Sequence, residues 1–380
     1  MNEPVGGQGR EVIRTIEVFP VQLPVLRSFN FASGSGGQAG ETITLIYVKI
    51  VGSEDSVGWG ECRPVPQWSS ETAETAISTI EYYLKPVLLG HPVWDRYGAH
   101  GKMNAAIQAG PTTGQPIAKA AIDMALHDLL SRRAKVPLRQ FLGGTHERNS
   151  IDLSFTVTAH DKAGVMDQVN GAREDGFRHF NFKAAVERKT DLVVAETIRS
   201  LMDEDGFLCA DANQGYGIAD AKYAAAGFQE IGVNVLEQPL PADQLLLMRE
   251  LRRATQIPLA VDEASVSPAN FFEYARTGLV DYLVIKVTRS GGIWPSSQQI
   301  AIAQAAGLGL LVSGLSDGML AKLATCQLVS VFDFHGPAAL NGSQFIDDSG
   351  LFPTKSSVET GGKVTLNDEA GIGLVPLITS

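Results

Sequence analysis

The chain has 380 residues, 44% of them hydrophobic, so it is long enough to bury a large core and more than one domain. Its formal net charge is −11, from 31 basic and 42 acidic residues, and it contains no run of lysines or arginines. This balance argues against nucleic acid or an anionic membrane surface as a partner.

The start of the chain, MNEPVGGQGREVIRT, has neither the basic nor the apolar region of a secretory signal, and no apolar run reaches about 18 residues. We therefore expect a cytoplasmic protein. Its cysteines, Cys62, Cys209 and Cys326, are odd in number and lack metal-type spacing. They are predicted to be packing residues, without a disulfide framework.

The first 133 residues predict an α+β unit. A strand is expected in EVIRTIEVFPVQLP, broken by Pro20, followed by two strands joined by a turn at Gly52–Asp55. Apolar spacing becomes helical at 69–89 and 116–133. The Gly/Ser-rich segment 27–41 is too long for a simple hairpin connection, so it is either a mobile lid or a disordered surface loop.

From residue 150 onward, short apolar runs alternate with amphipathic segments long enough for a helix, the pattern of βα units in a parallel sheet. We expect this sheet to close as a barrel. Its strands are predicted at 150–158, 178–183, 206–212, 233–238, 257–262, 281–287, 308–314 and 329–335.

Five polar residues end successive strands at intervals of 28, 26, 25 and 24 residues: Lys183, Asp211, Glu237, Asp262 and Lys286. In a (β/α) barrel the carboxyl ends of all strands open into one mouth, which is where barrel enzymes carry out chemistry. The spacing therefore predicts that these five side chains face one another.

Three of the five, Asp211, Glu237 and Asp262, offer carboxylate oxygens that suit Mg²⁺ or Mn²⁺. Any one of them alone would be explained as a helix N-cap or a surface acid. Three in register would repel one another without a cation, which favours a metal site. Strand alternation places Asn213 on the same side as Asp211, where it is a candidate to hold a metal-bound water or a carboxylate.

Lys183 and Lys286 stand on the second and sixth predicted strands, on opposite sides of the mouth. A lysine beside a divalent cation can have its pKa lowered enough to act as a neutral base. Two such lysines can remove and return a proton on opposite faces of one carbon. The alternative is that they are solvated, or that they only anchor a substrate carboxylate.

These residues resemble the enolase superfamily, and within it the muconate lactonizing enzyme subgroup, which includes racemases and epimerases of amino acids and dipeptides. The matching segments are VGWGEC, AAIDMALHDLLSRRAKVPLRQFLGG, ADAN, LEQPL, AVDEA, IKVTRSGGI and FDFHGPAAL. The resemblance implies an α/β fold with a capping domain at 1–133, a modified (β/α)₇β barrel at 134–348, and a tail at 349–380 that returns to the cap.

The same resemblance implies that Asp211, Glu237 and Asp262 bind Mg²⁺ and that Lys183 and Lys286 are the acid/base pair. It places residues 27–41 and 63–70 over the mouth, where three aromatic residues are expected to exclude water and contact the substrate. These are Phe29, Phe31 and Trp68.

Three departures from the family pattern bear on the reaction. Asn181 replaces the first lysine of the usual Lys-x-Lys and is a candidate substrate contact. Dipeptide epimerases carry Asp-x-Asp on the eighth strand, where this chain is expected to present Asp333 and His335, so a dipeptide is disfavoured. The seventh predicted strand has no histidine, which disfavours the mandelate-racemase-like branch.

The expected activity is abstraction of a proton next to a carboxylate, through an ene-diolate, with 1,1-proton transfer on a small amino-acid-like carboxylate as the main hypothesis. A muconate-type cycloisomerase and a syn-dehydratase of a hydroxy acid are the alternatives. A metal- and carboxylate-binding protein without turnover is the non-enzyme alternative. We also expect a homo-oligomer.

Overall fold

The computed structural model describes residues 11–32, 34–110, 112–352 and 358–378. Within these ranges no helix is both long and apolar enough to cross a membrane. An antiparallel sheet of order β1-β4-β5 opens the fold, and β2 and β3 form a separate hairpin. The strands are β1 (Ile13–Pro24), β2 (Phe29–Phe31), β3 (Gly34–Gly37), β4 (Thr42–Gly52) and β5 (Val57–Cys62).

Helices cover one side of this sheet. They are α1 (Ala73–Thr79), α2 (Lys85–Leu88), α3 (Arg96–Ala106), α4 (Pro116–Arg133) and the short α5 (Leu138–Phe141), with a π-helical turn at Ile80–Leu84 between α1 and α2. The two helical regions predicted from apolar spacing are therefore confirmed. The segment 27–41, expected as a lid or a disordered loop, forms the β2–β3 hairpin.

The prediction that Pro20 breaks the first strand is wrong. Strand β1 is continuous, and Pro20 stands opposite Ile46 in its pairing with β4. Because β1 is an edge strand, one side of its backbone has no ladder partner, and a missing N–H is tolerated there. The turn at Gly52–Asp55 is confirmed, since Gly52 N–H donates to the Ser56 carbonyl at 2.8 Å.

Helix α4 is buried all round between the sheet and the barrel, so its sequence shows less amphipathic patterning than a surface helix. Strand β5 approaches it at two glycines. A Cβ at Gly58 would lie 2.1 Å from the Ala125 carbonyl oxygen, and one at Gly60 would lie 2.0 Å from that of Ala121. The glycines of VGWGEC are therefore required for contact between strand and helix.

Eight parallel strands follow in sequential order, and a bridge between Leu153 and Ala338 closes them into a barrel. They are β7 (Ser154–Val157), β8 (His179–Lys183), β9 (Leu208–Asp211), β10 (Val235–Glu237), β11 (Leu259–Val261), β12 (Tyr282–Ile285), β13 (Gly309–Ser313) and β14 (Ala338–Ala339), and β6 (Ser150–Asp152) precedes them.

Seven helices connect these strands, which confirms the (β/α)₇β architecture. They are α6 (Lys162–Glu174), α7 (Arg188–Leu201), α8 (Ile218–Ile231), α9 (Leu245–Ala254), α10 (Pro268–Thr277), α11 (Ile293–Ala306) and α12 (Met319–Val329).

The eighth strand was predicted at the wrong place. The apolar run at 329–335 is the end of α12 and the turn after it, and the strand itself is the pair Ala338–Ala339. Two alanines carry almost no strand signal, whereas the preceding run VSVFDF carries a strong one. Only closure against β13 and Leu153 defines β14.

After α13 (Gly342–Phe345), the tail forms β15 (Glu359–Thr360) and β16 (Lys363–Thr365), and β16 pairs with β6 beside the barrel. The tail then reaches α4, where Ile372 N–H donates to Asp128 at 2.7 Å and the Leu374 carbonyl accepts from Arg132 at 2.9 Å. The division of the chain at residues 133 and 348 stays a prediction.

Buried carboxylates of the cap bind the first backbone N–H groups of two barrel helices. Asp123 accepts from Ile293 N–H at the start of α11, and Glu61 accepts from Gly318 N–H at 2.6 Å at the start of α12. Burial, together with Asp317 and Asp348, raises the pKa of Glu61 to about 8. The cap and the barrel are thus joined by directional hydrogen bonds as well as by apolar packing.

The close approach of β5 and α4 predicts the effect of a single methyl group. Gly60→Ala should destabilise the protein by about 1–3 kcal/mol or more, because the added Cβ meets backbone that cannot turn away. The matched control is Gly101→Ala in α3, where a Cβ meets nothing within 4 Å and should stabilise by up to about 1 kcal/mol. Urea unfolding of both variants measures the difference, and equal effects would contradict the packing argument.

Candidate active site

The five polar residues singled out by spacing meet at the carboxyl end of the barrel. Lys183, Asp211 and Glu237 are the last residues of β8, β9 and β10, and Asp262 and Lys286 directly follow β11 and β12. Lys183 is in register with Asp211, and Asp211 with Glu237. All five side chains are buried.

Two ion pairs connect the lysines to the acids. Lys183 Nζ lies 2.6 Å from Asp211 Oδ2, and Lys286 Nζ lies 2.5 Å from Asp262 Oδ2. Burial alone would lower the pKa of Lys183, but the charge of Asp211, its hydrogen bond to the lysine and the charges of Glu237 and Glu263 together raise that pKa. Burial would likewise raise the pKa of Asp262, but Arg289 and Lys286 lower it to about 2.

Two further carboxyl groups of the mouth, those of Glu237 and Glu263, form no ion pair with any described residue. Burial raises the pKa of Glu237 well above its ordinary value, and the charges of Asp211 and Asp262 add to this. Burial and the same two acids raise the pKa of Glu263 to about 7. Glu237 Oε1 and Glu263 Oε2 are buried without a hydrogen-bond partner among the described residues.

Three residues of the mouth were missed by sequence reasoning. Glu263 follows Asp262 in AVDEA, and the adjacent acidic pair was the available signal. Arg289 bonds both the side chain and the carbonyl of Asp262, and it is placed by the turn after β12. Gln238 accepts from the backbone N–H groups of Asp262 and Ala264, so it braces the end of β11 from the neighbouring strand.

Asn213 is at the mouth, but strand alternation is not the reason. Strand β9 ends at Asp211, and Asn213 has a left-handed backbone with φ of 40°. Its Nδ2 donates to Glu263 Oε1 at 2.9 Å, and its Oδ1 has no partner among the described residues. The next residue, Gln214, is also left-handed, and left-handed non-glycine residues follow three other barrel strands, as is common where strain holds functional groups in place; these are Ala185, Gln238 and Ser316.

Asn181 faces the barrel interior on the same side as Lys183, as expected. Its Nδ2 donates to Ser154 Oγ at 3.0 Å, and it lines the same cavity as the two lysines. It therefore contributes an amide, without charge, at the position of the absent first lysine.

The three aromatic residues predicted to wall the site form a lid. Phe31 stacks on Trp68 with ring centroids 4.2 Å apart, and Phe29 meets Trp68 edge-on at 5.3 Å. The Trp68 ring lies 5.3 Å from Lys183 Nζ and 5.2 Å from Lys286 Nζ. The cavity beneath is small, about 30 Å³, and is lined by both lysines, Asp211 and Glu237.

Asp333 and His335 were predicted at this mouth, and that prediction is wrong. His335 Nδ1 accepts from Leu310 N–H at 3.1 Å, at the amino end of β13 and therefore at the opposite end of the barrel. Asp333 is exposed and pairs with Arg148 at 2.6 Å. Both were misplaced because the eighth strand begins later than its apolar pattern indicated.

The sequence was compared with known proteins. It matches the N-terminal domain of the mandelate racemase / muconate lactonizing enzyme family over residues 14–143. It matches the enolase C-terminal domain-like family over residues 164–377, which is more than half of the chain. The chain belongs to the mandelate racemase / muconate lactonizing enzyme family.

Relatives within the family have different activities. Muconate cycloisomerase 1 of Rhodococcus opacus is 30% identical over 299 residues, 78% of each chain. L-Ala-D/L-Glu epimerase of Bacillus subtilis (strain 168) is 26% identical over 96% of this chain and 97% of its own. The structure of a substrate-liganded complex of that epimerase superposes with a TM-score of 0.88, at 24% identity over 97% and 100% of the two chains.

A dipeptide epimerase of Cytophaga hutchinsonii, solved with Mg and the dipeptide D-Ala-L-Val, has a TM-score of 0.85 at 22% identity over 95% of each chain. The side chains at the mouth of this protein offer oxygen atoms, which are the ligands that Mg²⁺ prefers. One side-chain oxygen of each of Glu237, Glu263 and Asn213 is buried without a hydrogen-bond partner among the described residues. In the described ranges, however, no three acidic, histidine or cysteine side chains are gathered closely enough to hold a metal as they stand. Lys183 and Lys286 hold two of the acids instead.

The placement of Asp333 yields a prediction that separates the two ends of the barrel. Asp333→Ala should leave turnover of any substrate of this family member within about twofold, because it removes only an exposed ion pair worth about 0–1 kcal/mol. Steady-state kinetics and thermal unfolding of Asp333→Ala check this prediction. Asp281→Ala, which removes another acid outside the mouth, is measured beside it. A tenfold loss of turnover in Asp333→Ala but not in Asp281→Ala would show that Asp333 belongs to the active site.

Proposed function

We propose that this protein is a Mg²⁺-dependent racemase or epimerase that moves the α-proton of a small amino-acid-like carboxylate from one face of the carbon to the other. The observation that carries the proposal is the pair of buried lysines. Lys183 and Lys286 lie on the second and sixth strands, and both face the same indole ring from within the mouth.

The chemistry assigned to the chain's own residues is proton transfer. A carbon held between the lysines presents one face to Lys183 and the other to Lys286, so a proton taken by one amine is replaced from the other. Without a cation, Asp211 and Asp262 hold the two ammonium groups in position, and the aromatic lid is proposed to keep bulk water from exchanging with the proton in transit.

Asp211, Glu237 and Asp262 are proposed to hold the cation, with Mn²⁺ as an alternative to Mg²⁺. A bound cation supplies positive charge that stabilises the ene-diolate formed when the α-proton leaves. The excess of negative charge around Glu237 and Glu263 supports this assignment, as does the Mg in the structure of the Cytophaga hutchinsonii epimerase. The ion pairs of Lys183 and Lys286 with two of the acids would open when the cation binds.

A second candidate is a cycloisomerase, favoured by the 30% identity to the muconate cycloisomerase of Rhodococcus opacus. That reaction requires one proton-transferring lysine, whereas 1,1-proton transfer requires two. The epimerase of Bacillus subtilis and an N-succinyl-L-Arg/Lys racemase of Bacillus cereus, 25% identical over 82% of each chain, support the two-base reaction. A cytoplasmic location and a homo-oligomeric state belong to the same proposal.

The two-base scheme predicts opposite defects for the two lysines. Lys183→Ala and Lys286→Ala should each abolish racemisation, yet each should retain exchange of the α-proton of one enantiomer in D₂O, because one base remains for one face. The assay is ¹H NMR of a library of α-substituted carboxylates with Mg²⁺, with Lys222→Ala on the surface as control. Loss of exchange for the same enantiomer in both variants contradicts the scheme.

Retention of full turnover by one of the two variants would favour the cycloisomerase. In that case the surviving lysine carries the proton and the other contributes only charge. If the wild-type protein exchanges no α-proton from any carboxylate in the library, the enzymatic proposal itself is wrong.

Cation binding can be tested apart from activity at Glu237. Because its charged form is already disfavoured by burial and neighbouring acids, Glu237→Gln should leave the stability of the metal-free protein unchanged or higher. It should remove the stabilisation by Mg²⁺, which for wild type is about 2.7 kcal/mol at one hundred times the dissociation constant. Thermal unfolding with and without Mg²⁺ measures both, and the surface variant Glu250→Gln should behave as wild type. A normal Mg²⁺ response in Glu237→Gln would contradict the assignment.

A further inference from the structure

Trp68 has a polar group that the proposed proton transfer does not use. Its side chain is only 9% exposed, and its indole Nε1–H is buried without a hydrogen-bond partner among the described residues. A buried donor without an acceptor is rare in proteins and carries a desolvation penalty. Trp68 lines the same cavity as Lys183 and Lys286, so a molecule bound in that cavity would lie against its side chain.

The indole is held in one orientation. Phe31 stacks on it with an angle of 2° between the planes, and Phe29, which packs edge-on against it, is itself stacked on Phe345 at 4.4 Å. Because the ring is packed against other rings, its N–H cannot readily turn to find another acceptor. A fixed donor of this kind discriminates between ligands that offer an acceptor and those that do not.

On the side of the mouth away from Asp211, Glu237 and Asp262, the described side chains that line the cavity are uncharged. The cavity-lining residues on β7, β13 and β14 and directly after them include Ser154, Ser313, Ala339 and Asn341, and none of those described is ionisable. Asn341 is already engaged, since its Nδ2 donates to Thr156 Oγ1 at 2.8 Å and its Oδ1 accepts from Ser316 Oγ at 3.2 Å. The described lining of this side offers an ammonium group no carboxylate, because the buried Asp317 lies behind it and accepts from Leu315 N–H at 3.0 Å and Thr288 Oγ1 at 3.2 Å. An ammonium group in the cavity would also meet an indole that already faces two lysine ammonium groups.

We propose that Trp68 Nε1–H donates a hydrogen bond to an uncharged acceptor, a ketone, ester or amide carbonyl, in the part of the substrate that does not react. Trp68 is then a substrate-binding residue that selects carboxylates with a neutral carbonyl-bearing substituent over those with a free ammonium. This inference rests on the proposed function and narrows its substrate class.

The test uses two probes that differ in one atom group. The first is 2-benzyl-4-oxopentanoate, and the second is 2-benzyl-4-methylidenepentanoate, in which CH₂ replaces the ketone oxygen. Wild type with Mg²⁺ should exchange the α-proton of the ketone with a kcat/KM about 3- to 10-fold higher than that of the alkene, the range of one neutral hydrogen bond. Phenylalanine, which carries an ammonium, should be slower than the ketone.

Trp68→Phe should remove the preference between ketone and alkene, because it keeps an aromatic ring under the lid and deletes the N–H. If that variant does not fold, 3-benzothienylalanine at position 68 replaces N–H by sulfur at constant shape. Phe31→Leu is the matched control: it loosens the lid without removing the donor, so both probes should slow equally.

Several results would overturn the inference. The first is that Trp68→Phe lowers kcat/KM equally for the ketone and the alkene. The second is that wild type exchanges the α-proton of phenylalanine as fast as that of the ketone. The third is that wild type exchanges the α-proton of other carboxylates but not that of the ketone. Absence of exchange from every carboxylate is a different outcome, because it rejects the proposed function and this inference with it.

Discussion

In the part of the chain that the structure describes, the arrangement of the mouth depends on burying four carboxylates beside three cations. Lys183, Lys286 and Arg289 pair with Asp211 and Asp262, whereas Glu237 and Glu263 form no ion pair among the described residues. Burial, together with the charges of Asp211 and Asp262, raises the pKa values of Glu237 and Glu263. Ionised groups are costly to remove from water unless each has a partner. The site therefore has a place for additional positive charge.

Such a site also needs a cover, and the cap supplies it through polar bonds that fix direction. Arg63 is buried and donates to the carbonyls of Leu315 and Ser316 after β13, and to that of Gly36 in the lid hairpin. Glu61 and Asp123 bind the starts of α12 and α11. Because hydrogen bonds constrain angle as well as distance, these contacts orient the hairpin and Trp68 over the lysines more tightly than apolar area alone could.

Membership of the family does not select a single reaction. Relatives of this chain include a muconate cycloisomerase and an epimerase, and the fold extends over the full length of both kinds of structure. The groups free to differ are those outside the ion pairs: the amide of Asn181, the indole of Trp68 and the uncharged end of β14. We expect these groups to discriminate between substrates, because a change at any of them leaves the buried charges paired.

The sequence by itself determined the barrel, its order of strands and the meeting of five polar residues. The reason is that a strand-length apolar run ending in a charged residue repeats at intervals of one βα unit. Closure of the parallel sheet then brings all those strand ends together. It also indicated the aromatic lid, although only through the family resemblance. Tertiary structure alone decided the position of β14, because its two alanines have no strand signal of their own. As a consequence, Asp333 and His335 lie outside the site. Tertiary structure likewise decided the roles of Glu263, Arg289 and Gln238. A buried charge or amide bonds to the partner that packing brings within reach, and the spacing of residues along the chain does not predict that distance.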